Sequence, residues 1–309
     1  MKNITNVYEA VDQNKFKSFL VIALFIVFVV GVSWVLTQAF DLGPGFFGYA
    51  LLFSGISSLV SYWFSDKIVL SLSGAREANK KRDFTFYTVV ENIALAAGLP
   101  MPKVYVVEDS APNAFATGRD PKHAVVCATR GLLDKLNRSE LEGVIGHEMS
   151  HIGNYDIRLA SIVAILVGLV VVLSDFAGRS MWFGGHSNKD EDNRSGNVLA
   201  ILGLVLIILA PIAAQLIQLA ISRHREFFAD ASSAKLTRNP EGLAQALVKI
   251  ADDKNILKSA SNATAHMFIA NPFKIDTGGR TRGALSWVAG LFNTHPPVED
   301  RIRALRAMQ

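Results

Sequence analysis

His147-Glu148-Met149-Ser150-His151 is the stretch of this chain whose residue types and spacing can do chemistry. It is an H-E-x-x-H pattern inside a helical run. Residues four apart lie one above the other on a helix, so His147 and His151 turn two imidazoles toward one point on one face. Two imidazoles so placed can hold a metal ion, and Glu148 stands one step round the helix. From there its carboxylate reaches a water that the ion activates without ligating the ion. Hydrolysis needs that division of labour: a Lewis acid that lowers the pKa of water, and a carboxylate that takes the proton and later returns it. The competing reading is a solvated helix with two unrelated histidines. A third ligand and a suitable setting decide between them.

The helix itself is predicted over residues 139–154. Ser139 and Glu142 read as an S-x-x-E capping box at its start, and Leu141, Val144, Ile145 and Ile152 supply apolar residues to pack. Around it, 50% of the 309 residues are hydrophobic and only 19% charged. The mean hydropathy of +0.28 is too apolar for an ordinary soluble protein and points to membrane segments. The net charge of +4 is small and spread out, with no aromatic-interleaved basic stripe, which argues against nucleic acid as a partner. Cys127 is the single cysteine, so no intrachain disulfide can form. Its apolar neighbours, Val125 and Val126, mark it as a packed core residue.

Residues 19–40 carry no charge and are long enough to cross a hydrocarbon core of about 30 Å. No small-residue cleavage site follows, so the stretch reads as an anchor rather than a removed signal. After a turn at 41–45, residues 46–64 form a second uncharged stretch, and the two make a hairpin. Lys2, Lys15 and Lys17 precede it, and Lys67, Arg76, Lys80, Lys81 and Arg82 follow. That asymmetry places both ends in the cytoplasm.

From 66 to 156 the composition turns globular. Residues 84–97 have helical periodicity and stop at Gly98-Leu99-Pro100, while 103–107 and 123–127 read as strands. Asn113-Ala114-Phe115-Ala116-Thr117-Gly118 lies between those strands. A small sheet beside the H-E-x-x-H helix suits a protease, because an exposed edge strand can hold an extended substrate by backbone hydrogen bonds. Residues 159–173 are apolar but short, and 198–220 are long enough to span. Between them 184–196 is a polar loop, where His186 reads as solvated. These two stretches form a second hairpin, whose first arm is short enough to be either a span or a re-entrant segment.

Directly after the fourth apolar stretch come Glu226 and Asp230, again four apart on a continuing helix. Glu226 offers a third ligand, and Asp230 can accept a hydrogen bond from the free nitrogen of a ligating histidine. A surface helix with scattered charges is the plainer reading. Position favours the first: His151 precedes one arm of the hairpin and Glu226 follows the other, so an antiparallel hairpin returns them to one membrane face. Residues 239–309 are soluble in composition. Helical pattern recurs at 243–250, and Pro296-Pro297 are placed to open a final helix just after His295.

Taken together these residues resemble the HtpX-type membrane metalloproteases, relatives of the CAAX prenyl proteases. The likeness runs along nearly all of the chain: the N-terminal hairpin, Asn113–Gly118, His147–His151, Ser222-Arg223-His224-Arg225-Glu226 with Ala229-Asp230, and Thr294-His295-Pro296-Pro297. It implies a mainly α integral membrane protein of about four transmembrane helices with a cytoplasmic α+β zincin-like (gluzincin) protease domain. The parts would be a hairpin at 1–64, protease sequence at 65–156, a second hairpin at 157–221 and the remaining protease sequence at 222–309. The resemblance further implies one zinc ion per chain on His147, His151 and Glu226, and Glu148 as catalytic base. His295 would polarise the scissile carbonyl, and Asn113 would lie near the substrate. The expected partners are polypeptide substrates, damaged membrane proteins foremost, and the lipid bilayer of the cytoplasmic membrane. A prenyl-protein protease is a second enzyme reading, set back by too few apolar segments. A membrane scaffold with a structural zinc is the reading from another class, set back by only three apparent ligands and a carboxylate in the base position.

Overall fold

The computed structural model describes residues 7–40, 45–183, 223–260, 264–270 and 296–308. The expected fourth apolar stretch at 198–220, the loop with His186, and His295 lie outside the described residues.

The first apolar runs form α1 (Val7–Phe40) and α2 (Gly45–Trp63), which pack against each other. Within α1, Val11–Gly31 is a 21-residue segment long and apolar enough to cross a membrane. Helix is the form that satisfies every backbone polar group internally where no water is present. Phe19 and Val27 are each 69% exposed and Leu59 on α2 is 61% exposed, so the pair turns large apolar side chains outward. The helix starts at Val7, well before the apolar run itself, and so carries Asn14, Lys15 and Lys17 as well.

After α3 (Ser65–Leu72) comes a four-stranded sheet of β1 (Ala75–Glu77), β2 (Lys103–Val107), β3 (Ala114–Gly118) and β4 (Ala124–Thr129), in the order β1-β2-β4-β3. β2 and β4 run parallel with Tyr105 opposite Cys127, and β3 is antiparallel to β4 with Ala116 opposite Val126. Cys127 is fully buried, and burial pushes its thiol pKa up, which makes it an inert core residue. α4 (Phe84–Ala97), which joins the antiparallel strands β1 and β2, closes on Gly98 at φ +66°, where Leu99 N–H donates back to Ala94 O at 3.0 Å.

After α5 (Arg130–Lys135), the H-E-x-x-H helix is α6 (Arg138–Gly153), and its capping box differs from the expected one. Asn137 is the cap: its Oδ1 accepts from Glu140 N–H at 3.0 Å, and Glu140 Oε2 accepts from Asn137 N–H at 2.8 Å. Ser139 and Glu142 are engaged elsewhere, Ser139 Oγ by Asn239 Nδ2 (2.7 Å) and Glu142 by Arg138 Nε one turn back (3.0 Å). A cap needs extended backbone just outside the helix, and Asn137 supplies it at ψ 172°.

At Asn154-Tyr155 the chain turns by 84° into α7 (Asp156–Phe183). Tyr155 takes the left-handed conformation, φ +60°, to make that corner. The helix has 28 residues, about 42 Å at 1.5 Å per residue. It runs well beyond the expected 159–173. The described chain resumes with α8 (Arg223–Thr237), α9 (Pro240–Asp252) and α10 (Val298–Arg306), the last opened by Pro297 as the cap residue. The main core lies between the sheet and the helices α4, α6 and α9, with Phe86, Val126, Val144, Ile145, Met149 and Leu243 among its buried members.

Candidate metal centre

Two helices bring the site together. α6 carries His147 and His151, and α8 carries Glu226 and Asp230. They can approach closely because Gly146 has no side chain: a Cβ there would come within 2.8 Å of Ser233 Oγ. Ser233 uses that hydroxyl to donate to Gly143 O at 2.6 Å, which fixes the two helices in register. The two imidazole Nε2 atoms then lie 3.1 Å apart. Glu226 faces both, with Oε1 3.6 Å from His151 Nε2 and Oε2 3.8 Å from His147 Nε2.

Whether these residues fit zinc is decided by where the ring protons sit. His147 Nδ1 is 2.9 Å from Asp230 Oδ1, and His151 Nδ1 is 3.0 Å from Asp156 Oδ2. A carboxylate accepts, so each Nδ1 carries a proton, and in its neutral form each ring turns an Nε2 lone pair inward. Two lone pairs and a carboxylate gathered in a buried space call for a cation. Burial favours neutral His151, yet the Asp156 hydrogen bond and the charges of Glu226 and Asp156 outweigh it and raise its pKa to about 9, so the cation that meets Nε2 is a proton unless a metal ion displaces it. Tetrahedral zinc with Zn–N bonds of ~2.0–2.1 Å holds its ligand atoms about 3.3 Å apart. The three donor atoms are spaced for such an ion.

Glu148 is 2% exposed, and the Ala116 backbone on β3 is near enough to favour its charged form. Burial pushes its pKa up to about 7; Glu226 adds to the shift, and His151 and Arg301 oppose it. A carboxylate so placed can accept a proton from a neighbouring water and return it.

Two groups that sequence reasoning missed complete the surroundings. Asp156 is one, five residues after His151 and visible in the sequence, though nothing there marks it as a histidine partner. Arg301 is the other. It is fully buried on α10, with Nε 2.8 Å from Asp230 Oδ2, Nη2 2.7 Å from Asp230 Oδ1 and Nη1 2.9 Å from Ile269 O. Burial alone would raise the Asp230 pKa, but Arg301 and His147 hold it down at about 2. Removing one partner of a buried pair strands the other charge, so Arg301→Ala is expected to lose about 3–5 kcal/mol of stability. Thermal unfolding followed by circular dichroism measures this, and an unchanged melting temperature would contradict it.

Asn113 is buried at the start of β3, and its side chain bonds to backbone: Nδ2 donates to Ala270 O at 3.0 Å, and Oδ1 accepts from Ala114 N–H at 3.1 Å. It pins residues 264–270 to the sheet. The sheet edge also departs from expectation. β3 is an edge strand, but all five of its residues are buried, because α6, α7 and residues 264–270 cover it. Ala114 O accepts from Ile269 N–H at 3.0 Å, and Gly118 N–H donates to Ser161 Oγ at 3.3 Å.

The model of peptidase family M48 matches residues 80–309. The chain belongs to peptidase family M48. Full-length relatives agree. The Protease HtpX homolog of Caldanaerobacter subterraneus subsp. tengcongensis is 44% identical over 303 residues, 97% of each chain. That of Dictyoglomus thermophilum is 46% identical over 301 residues, 97% of this chain and 94% of its own. The crystal structure of S. mikatae Ste24p is similar at a TM-score of 0.49 and 17% identity, over 93% of this chain and 65% of that one. At that distance the likeness carries no argument. As an M48 peptidase of the HtpX kind, the protein is a membrane zinc metalloprotease acting on polypeptides.

Proposed function

We propose that the protein is an endopeptidase of the cytoplasmic membrane that clears damaged membrane proteins, with the active site on the cytoplasmic face. His147, His151 and Glu226 hold the zinc, and the convergence of these three donors from α6 and α8, with Glu148 beside them, is the observation that carries the reading. Bound there, zinc supplies Lewis acidity toward water and the scissile carbonyl. Glu148 takes a proton from the attacking water and returns it to the leaving amine, a role its buried carboxylate, next to His147 in the helix, suits. Asp230 and Asp156 hold the two imidazoles in the tautomer that turns Nε2 to the metal. His295 is assigned to the carbonyl oxygen on the strength of the resemblance alone. Among the described residues three donors converge, one fewer than a closed structural zinc site uses, which supports catalysis over a structural zinc.

Purified protein in detergent is expected to digest casein, to stop with a chelator and to recover with added zinc. Zinc-loaded, folded protein without peptidase activity would favour the scaffold reading. The four spans, α1, α2, α7 and residues 198–220, would bring Glu226 back to the membrane face that His151 leaves. Lys15, Lys17, Lys67, Lys80 and Lys81 lie on that side, which makes it cytoplasmic. Cysteines at the exposed positions Asn79 and Asn255 are therefore expected to escape an impermeant thiol reagent in intact cells, with Cys127 buried and silent. Labelling at either position from outside would reverse the orientation.

A further inference from the structure

One polar side chain of α1 is buried where nothing in the reaction requires it. Asn14 is 2% exposed. Its Nδ2 donates to Asp156 Oδ1 at 2.7 Å and to Asn154 O at 2.9 Å. Its Oδ1 accepts from Arg225 Nη1 at 3.2 Å, and that same Nη1 reaches Asp156 Oδ1 at 2.9 Å. A single amide from the N-terminal helix thus touches the end of α6, the first residue of α7 and the first turn of α8. The groups it holds are neighbours of metal donors. Asp156 uses its other oxygen, Oδ2, on His151 Nδ1, and Arg225 immediately precedes Glu226.

We infer that Asn14 is a positioning residue of the metal centre, so that the N-terminal membrane helix forms part of the zinc site's scaffold. The inference rests on the assignment of His147, His151 and Glu226 as zinc ligands. An amide buried in apolar surroundings costs stability unless all its bonds are made, and these bonds are made only when α6, α7 and α8 stand at the observed separations. The amide orients Asp156, Asp156 orients His151, and Arg225 sets the start of the helix that carries Glu226. Asn14 touches neither the metal donors nor Glu148, so its effect is on metal geometry and affinity.

The test uses the full chain in detergent. Groups behind metal ligands typically carry about 10–100-fold of metal affinity. Asn14→Ala and the isosteric Asn14→Asp, which faces Asp156 with a like charge, are expected to weaken zinc by about that factor in chelator competition. Both are expected to lower kcat more than KM and to shift the visible absorption bands of the cobalt-substituted protein. Ser18→Ala is the control. It removes a buried hydroxyl one turn along α1, bonded to Asn14 O at 2.8 Å, and is expected to leave all three readouts unchanged. Folded Asn14 variants with wild-type zinc affinity and cobalt spectrum would overturn the inference, as would an equal loss in Ser18→Ala. A wild-type chain without zinc would instead strike at the ligand assignment beneath it. If the variants do not fold, linkage provides the same test in the wild-type protein, because coupling is reciprocal. Stripping zinc is expected to speed hydrogen exchange at the amides around Asn14, and unchanged exchange there would overturn the inference.

Discussion

Glu148→Gln is expected to lower peptide hydrolysis by about 10²–10⁴-fold, the usual contribution of a positioned general base, while zinc stays at one per chain. Glu148 stands apart from the three metal donors. His147 and His151 face Glu226 across the gap between α6 and α8, whereas Glu148 has the Ala116 backbone beside it. Glutamine keeps the size of the side chain and an oxygen beside that backbone, so folding and packing are preserved. It cannot take a proton from water. A loss confined to kcat, with zinc content unchanged by elemental analysis, is the expected pattern. Zinc lost together with activity would place Glu148 among the ligands and undo the division of roles.

The second large effect is expected at Glu226, the donor that comes from far along the chain. Glu226→Gln keeps volume and shape but replaces an anionic ligand with a weaker neutral one, so zinc affinity and activity should fall together. The residue is buried and lies across from two imidazole nitrogens, with Arg301 Nη1 3.8 Å away. The change therefore also leaves less negative charge to balance a divalent ion and the Arg301 guanidinium. Loss of activity alone, with zinc held as tightly as in wild type, would make Glu226 something other than a ligand.

The parts of this arrangement that the sequence discloses are those with a local cause. The spacing of His147 and His151 on one face follows from the helical period, and the stop of α4 at Gly98 from the left-handed conformation that glycine takes freely. Glu226 stands out by its own i, i+4 partner Asp230 and by its place directly after an apolar stretch. The cap of α6 shows the limit of local signals. Asn137 with Glu140 and Ser139 with Glu142 both satisfy a capping pattern; the chain uses the first, and the Ser139 hydroxyl accepts from Asn239 Nδ2. The remaining contacts have no local signature. Arg301 meets Asp230 across 71 residues and Asn14 meets Asp156 across 142, pairings set by how α10 and α1 pack. The burial of β3 likewise depends on residues 264–270 folding back over it, guided by Asn113.

Whether α6 and α8 together build the zinc site is read from the zinc affinity of folded Glu226→Gln by chelator competition in detergent, with circular dichroism to establish the fold. An affinity well below wild type, with peptidase activity reduced in step, is the predicted result. Wild-type affinity in the folded variant would place the third ligand elsewhere and contradict the site built from α6 and α8.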